Sequence, residues 1–270
     1  MQIDIQNIHF TYPSGVPALQ GVSCSIPAGE QLAIVGQNGS GKTTLVKHLN
    51  GLLKPNQGQV LVGGWETTEK TVAQMASRVG YVFQNPDEQL FTKTVYQETL
   101  FGPKNLGYDD AKCDQLVEQA LETTGLRDEK DTNPYDLSPT WRKMVAVASI
   151  IAMDTPVVIF DEPTTGQDAG GIARIGEVVE LLQDQGKTVI AISHDIDFCA
   201  DHFQRIMAMA EGKILLDGTS REVLGQEDVL AATYVDPPQI TRLGKELGLS
   251  STLISQDDLL AELKKHADAR

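Results

Sequence analysis

The sequence predicts an α/β fold in which a mostly parallel sheet carries helices on both faces. Residues 31–35, 156–160 and 188–193 are short, almost wholly apolar runs, as strands buried on both faces require. Stretches of helical periodicity separate them, so the strands are joined by crossovers and run parallel. Each run ends in residues with polar chemistry: Gly36 to Lys42, then Asp161 and Glu162, then His194 and Asp195. Ligands of such sheets bind at the carboxyl ends of the strands, so these groups converge on one rim although they lie far apart in the chain.

The remaining elements follow in order. Ile3, Ile5, Ile8 and Phe10 form a strand-like apolar series that ends at the turn Pro13, Ser14, Gly15. Residues 22–26 alternate again and stop at Pro27, Ala28, Gly29. With a further strand within residues 56–65, they predict an antiparallel β part near the N-terminus. A helix is expected from about Lys42 to Leu49, and residues 79–84 are a short apolar run ending at Gln84. From about residue 86 to 151 the periodicity is helical, with Leu116, Val117, Ala120 and Leu121 on one face of residues 112–124. Residues 171–185 read as another helix, and residues 206–216 as two short strands around a Glu211-Gly212 turn. Leu243, Leu247 and Leu249, then Leu259, Leu260 and Leu263, place helices in the tail, with Asp257 or Asp258 as cap of the last one. The expected organisation is a main domain over residues 1–235 with a helical insert at about 86–153, and a C-terminal helical extension over 236–270.

Composition narrows the function classes. A 41% hydrophobic and 22% charged chain is that of a folded protein rather than a disordered one. A net charge of −15 argues against nucleic acid as partner, because phosphate binding needs a basic footprint. Cys24, Cys113 and Cys199 are odd in number and far apart, which fits reduced thiols rather than a disulfide framework or a zinc site. The first residues lack the pattern of a secretion signal, and no apolar run approaches the ~20 residues of a membrane span, so a membrane role requires a membrane-embedded partner.

Gly36-Gln37-Asn38-Gly39-Ser40-Gly41-Lys42-Thr43 matches G-x-x-x-x-G-K-[ST] between a strand and a helix. Glycines allow the backbone to wrap phosphates with its N–H groups, and the helix N-terminus adds positive partial charge. Lys42 is expected to reach the outer phosphates and the Thr43 hydroxyl to hold Mg²⁺, with Thr44 included in the same site. By itself the loop indicates a nucleoside triphosphate, without naming the nucleotide.

Asp161 follows four apolar residues, the position of a strand-end magnesium acid in phosphate-loop enzymes. A carboxylate at Glu162 has the chemistry to orient or deprotonate attacking water. His194 ends a strand on the same rim and is a candidate γ-phosphate contact. Gln84 also ends a strand and is a candidate contact to Mg²⁺ or water. The bland alternative for each is a polar strand end.

Together these segments resemble the ATP-binding cassette (ABC) ATPases. The phosphate loop, Val82-Phe83-Gln84, Leu137-Ser138, Phe160 to Thr164, Gly166-Gln167-Asp168 and Ser193-His194-Asp195 occur in that family's order along nearly the whole chain. The resemblance implies that Tyr12 stacks on adenine, Gln84 links nucleotide state to a membrane subunit, Asp168 lies at a dimer interface, and His194 is the switch histidine. It also implies two ATP molecules held between two subunits, each touching the phosphate loop of one and the signature segment of the other. Residues 81–91, 99–107, 164–168 and 237–240 are similar, more narrowly, to the ATPase subunits of energy-coupling factor (ECF) transporters, which import vitamins and transition-metal ions. That resemblance implies an integral membrane coupling subunit, a separate substrate-binding membrane subunit and a peripheral location on the cytoplasmic face. Asp87 and Glu88 are candidates for contact with arginine-bearing helices of the coupling subunit.

One departure stands out. Where the family signature usually reads Leu-Ser-Gly-Gly-Gln, this chain has Leu137-Ser138-Pro139-Thr140-Trp141. Ser138 suits an N-cap and Pro139 the first helical turn, but proline has no N–H to offer a phosphate. A homodimer would carry this defect in both ATP sites, whereas a second ATPase with a normal signature would complete one good site, so a heterodimer is expected. The alternative is a tolerated variant in which the helix dipole suffices. The tail is either a dimerisation element or an amphipathic helix packed on its own domain. The competing functional readings are the ATPase of another ABC importer and a soluble ABC ATPase that acts on ribosomes or DNA.

Overall fold

A computed structural model describes residues 1–249 and 251–268. Two sheets form the body. In the first, β1 (Ile3–Thr11) pairs antiparallel with β2 (Pro17–Ile26) on one side and β4 (Gln57–Val62) on the other, and β4 turns back into β5 (Trp65–Glu66). The single strand expected at 56–65 is therefore a hairpin, since Gly63 and Gly64 both take positive φ and turn the chain. The step from Ile5 to Ile8 breaks strict alternation, and the structure resolves it as a bulge with Asn7 at φ 48°.

The second sheet has the order β10-β9-β3-β8-β7-β6, built from β3 (Gln31–Val35), β6 (Val79–Val82), β7 (Val157–Asp161), β8 (Thr188–Ile192), β9 (Arg205–Ala210) and β10 (Lys213–Thr219). All neighbours are parallel except β9 and β10, which form the expected hairpin. Alternate residues serve two cores. Ala33, Val35, Phe160, Val189 and Ala191 face the helical side, while Leu32, Ile34, Ile159, Ile190 and Ile192 face the antiparallel sheet. Burial on both faces explains why these strands read as unbroken apolar runs.

Helices were expected on both faces. One face is covered by helices, but the other is covered by α1 (Lys42–Leu49) together with the antiparallel sheet, because the apolar side of β1 and β2 needs a partner too. After the short helical turn α2 (Val72–Met75), α3 (Val95–Asn105), α4 (Asp110–Thr124) and α5 (Pro139–Ile151) pack together. The helix α6 (Ala169–Asp184) begins two residues before its expected start because the Asp168 carboxylate accepts a bond from the Gly171 N–H at 2.8 Å and caps it.

After α7 (Ile196–His202), the chain adds α8 (Ser220–Leu224), α9 (Glu227–Ala232), α10 (Gln239–Glu246) and α11 (Gln256–Asp268). The cap of α11 differs from expectation. The Ser255 hydroxyl accepts from the Asp258 N–H, while the Asp258 carboxylate accepts from the N–H groups of Ile254 and Ser255 and pairs with Arg221 at 2.6 Å. Asp258 is thus the third-position partner of a capping box rather than the cap itself. Residues 250, 269 and 270 of the extension lie outside the described residues. No helix among the described residues is long and apolar enough to cross a membrane.

Candidate functional site

The carboxyl ends of β3, β7 and β8 meet at a cavity of about 910 Å³. The phosphate loop forms its floor, and three glycines make the curve possible. Gly36 (φ 143°) has no room for a Cβ, which would lie 2.2 Å from the Met209 carbonyl, and at Gly41 (φ 104°) one would meet the Ala18 carbonyl at 2.6 Å. Gly39 faces open space and owes its identity to φ 82° alone. Gly36, Asn38, Gly39, Gly41, Lys42, Thr43 and Thr44 all line the cavity. Ser40 does not: its side chain is buried beneath the loop, its Oγ close to where a Cβ on Gly36 would sit. Its backbone N–H donates to the Gln37 carbonyl at 3.2 Å.

Lys42 is buried, and its ammonium donates to the carbonyls of Gly36 (2.6 Å) and Gln37 (3.0 Å). Burial pushes its pKa below the usual lysine range, against the pull of Glu162 and Asp161. The Thr43 hydroxyl lies 3.4 Å from Asp161 Oδ1. The other oxygen of Asp161 accepts from the Tyr81 hydroxyl at 2.5 Å, and burial, then the Asp161 charge, raises the Tyr81 pKa so that it stays a donor. Hydroxyl and carboxylate are hard oxygen donors, a set that fits Mg²⁺.

Glu162 is buried and sits at φ 48°, with its N–H bonded to the Ile192 carbonyl (2.8 Å). That left-handed backbone is costly for a residue with a Cβ and turns the carboxylate toward the end of β8. There Glu162 Oε2 meets His194 Nδ1 at 2.6 Å, and the remainder of the exposed imidazole faces the cavity that both residues line. Gln84 lies two residues beyond β6 and lines the same cavity with an exposed side chain. Tyr12 lines it from the antiparallel sheet, its ring edge-on to Phe10 (4.9 Å) and its hydroxyl 3.0 Å from Thr44 Oγ1.

Ser138 lies away from this cavity, at the exposed start of α5, where its hydroxyl caps the Trp141 N–H at 3.5 Å with Pro139 next to it. Trp141 packs on the helical core with the Arg174 guanidinium over its ring at 5.2 Å. Asp87 is already engaged by Arg142 at 2.9 Å, which leaves Glu88 as the freer acid of that loop.

Sequence reasoning passed over three contributors. Tyr81 supports Asp161, and its only signal was a tyrosine in the next-to-last position of a strand. Lys143 follows Arg142 directly before the apolar run of α5 and is fully buried, with its ammonium 2.9 Å from the carbonyls of both Phe83 and Gln84. The third is the segment from Thr233 to Arg242, at the junction with the extension. The Gln37 N–H donates to the Thr233 carbonyl at 3.0 Å, and Asp236, Pro237, Pro238, Gln239 and Arg242 line one wall of the cavity.

A buried lysine in a glycine cradle, a threonine–aspartate pair and a glutamate held by a histidine suit the binding and hydrolysis of a nucleoside triphosphate. Such geometry defines a class, the phosphate-loop nucleoside triphosphatases. A family profile described as ABC transporter matches residues 19–165, more than half of the chain. The chain belongs to the ABC transporter family of ATP-binding proteins and is an ABC-type ATPase. It is 37% identical over 264 residues to the energy-coupling factor transporter ATP-binding protein EcfA of Methanoculleus marisnigri, covering 97% of this chain and 95% of that one. An ABC transporter ATP-binding protein of Methanosarcina acetivorans is 39% identical over 96% of this chain, which spans only 43% of that protein's length. Among solved structures, cbiO1 of Clostridium perfringens, described as part of the ABC transporter complex cbiONQ, superposes with a TM-score of 0.77 at 33% identity, over 92% of this chain and 98% of that one.

Proposed function

We propose that this chain is the ATP-hydrolysing subunit of an ECF-type importer of vitamins or transition-metal ions, working at the cytoplasmic face of the membrane. The observation that carries hydrolysis is the Glu162–His194 contact of 2.6 Å on the rim of the cavity that Lys42 floors. The importer assignment is supported by similarity along nearly the full length of both EcfA and cbiO1.

In this reading the loop amides and Lys42 hold the phosphates of ATP, and the Tyr12 ring stacks on adenine. Thr43, Asp161 and Gln84 are the residues that would hold Mg²⁺, with Tyr81 fixing the orientation of Asp161. Mg²⁺ supplies neutralisation of charge on the β- and γ-phosphate oxygens. Glu162 orients the attacking water and takes up its proton, and His194 holds the Glu162 carboxylate in position while hydrogen-bonding toward the γ-phosphate. Gln84 senses whether that phosphate is present.

Ser138 and the N-terminus of α5 then serve the ATP of a second subunit. Pro139 removes one backbone donor from that surface, so a second, related ATPase with an unmodified signature is the preferred partner, with an integral membrane coupling subunit and a substrate-binding membrane subunit completing the complex. The extension over residues 236–270 contributes to pairing of the two ATPases.

The test is gentle detergent extraction of the tagged chain from its own cells and identification of what is retained. A second ATPase together with an integral membrane protein is the expected result. A lone homodimer, or soluble ribosomal or DNA-repair partners, overturns the importer reading.

A further inference from the structure

We infer that Lys143 is a positioning residue that locks Gln84 to the signature helix, so that events at Ser138 and at Gln84 move as one unit. This rests on the proposed role of Gln84 at the γ-phosphate. The segment that carries Gln84 is a connection between β6 and α3, and such connections are ordinarily mobile. Here five bonds tie it to α5. The Lys143 ammonium donates to the carbonyls of Phe83 and Gln84, both at 2.9 Å. Gln89 accepts from the Phe83 N–H (3.1 Å) and donates to the Ala146 carbonyl (2.8 Å) and to Ser149 Oγ (2.9 Å). Arg142 pairs with Asp87 at 2.9 Å.

Among these, Lys143 is the unusual investment. Its side chain is 1% exposed, and a buried ammonium with two carbonyls is costly unless the geometry it enforces is used. Its position is also specific. It lies five residues after the cap Ser138 on the same helix, while its ammonium reaches the very peptide that orients the Gln84 side chain into the cavity. A rigid helix with the signature cap at one end and the Gln84 backbone held on its flank links the surface offered to a partner's nucleotide with the chain's own nucleotide cavity. Arginine has donors to reach both carbonyls, whereas methionine fills the space and donates nothing.

The experiment uses the full chain purified with the subunits it retains in mild detergent. ATP turnover, affinity for a fluorescent ATP analogue and melting temperature are measured for Lys143→Met, Lys143→Arg, Gln84→Ala and the double variant Lys143→Met/Gln84→Ala. Lys143→Met is expected to lower kcat about tenfold or more with nucleotide affinity nearly unchanged, as misplacement of a catalytic group does. Lys143→Arg is expected to recover most of that loss. Because Lys143 acts through Gln84, Gln84→Ala should add little in the Lys143→Met background. Additive losses in the double variant, or a fall in nucleotide affinity that parallels kcat, overturn the inference and leave the Gln84 role standing. If Gln84→Ala alone leaves kcat unchanged, the Gln84 role fails first and the inference with it. A Lys143→Met chain that does not fold shifts the test to Lys143→Arg/Gln84→Ala, where a kcat equal to that of Gln84→Ala alone supports the inference and a further loss overturns it.

Discussion

The Glu162 carboxylate holds Nδ1 of His194 at 2.6 Å across the ends of two neighbouring strands, and it does so from a left-handed backbone at φ 48°. The two residues are separated by 32 positions in the chain and by one hydrogen bond in space. Strain at Glu162 and a partner that holds it are what a water-orienting carboxylate needs, since its placement is then set before the nucleotide arrives.

Glu162→Gln keeps the size and the hydrogen-bonding capacity of the side chain but removes the base. ATP turnover is expected to fall by about 100-fold or more, with ATP binding retained. Steady-state hydrolysis and nucleotide affinity measured on the same preparation check this. His194→Ala should also slow turnover while leaving binding intact.

Tyr81→Phe removes the hydroxyl that Asp161 Oδ2 accepts at 2.5 Å. Loss of a bond to a charged acceptor costs about 1.5–3 kcal/mol in favourable cases. Because Asp161 then loses its fixed orientation, the magnesium concentration needed for half-maximal turnover should rise severalfold, as titration of ATPase activity with Mg²⁺ would reveal.

Rebuilding the start of α5 tests the signature. Pro139→Gly, Thr140→Gly and Trp141→Gln together restore the missing backbone donor and leave two glycines at the helix start, and hydrolysis by the purified chain alone should rise. Trp141→Gln by itself should lower the melting temperature, because it strips the ring from beneath Arg174, a contact worth roughly 0.5–2 kcal/mol. No gain in the triple variant would argue that the native segment is a competent signature.

Cys24 provides a pH readout. Burial first, then the charge of Asp217, pushes its thiol from 9.0 up to about 12. Alkylation in the folded chain should therefore stay slow at pH 9, because the thiolate is the nucleophile. In the pH window between 9 and 12 the unfolded thiol gives up its proton while the folded one keeps it, so this group's contribution to stability falls as pH rises. Cys24→Ser should flatten that part of the stability profile in alkaline denaturation curves.

Phe160 lies at 0% exposure on β7, facing the helical-side core directly before the acidic pair. Phe160→Ala should cost about 3–5 kcal/mol by opening a cavity beneath the site. Denaturant unfolding measures the loss, and turnover should decline with it as Asp161 loses its footing.

Much of the site was legible because its chemistry requires particular residues close together in the chain. The phosphate loop needs glycines and a lysine within one strand-to-helix turn, and the acids need a strand end, so local patterns exposed both. Tyr81 and Lys143 were not legible in that way. Each acts through a contact spanning 59 to 80 positions, and a tyrosine in a strand or a lysine in a helix is unremarkable until its neighbours are known. Ser40 shows the converse, a member of the motif whose side chain turns under the loop because Gly39 and Gly41 take positive φ on either side of it. The bulge at Asn7 and the hairpin at Gly63 and Gly64 escaped for a related reason, since a break in alternation marks an irregularity without saying which one.

The sequence by itself determined the parallel strands, the rim on which polar groups gather, the phosphate loop with Asp161 and Glu162, and the proline at the start of α5. Each depends on neighbours within one element, where periodicity and residue chemistry act directly. Only the tertiary structure decided that His194 grips Glu162, that Tyr81 braces Asp161, that Lys143 binds the peptide of Gln84, and that the segment around Thr233 to Arg242 walls the nucleotide cavity. Those relationships arise when the stacking of two sheets and the packing of α5 bring distant segments within hydrogen-bonding distance, a selection made by the burial of the whole core.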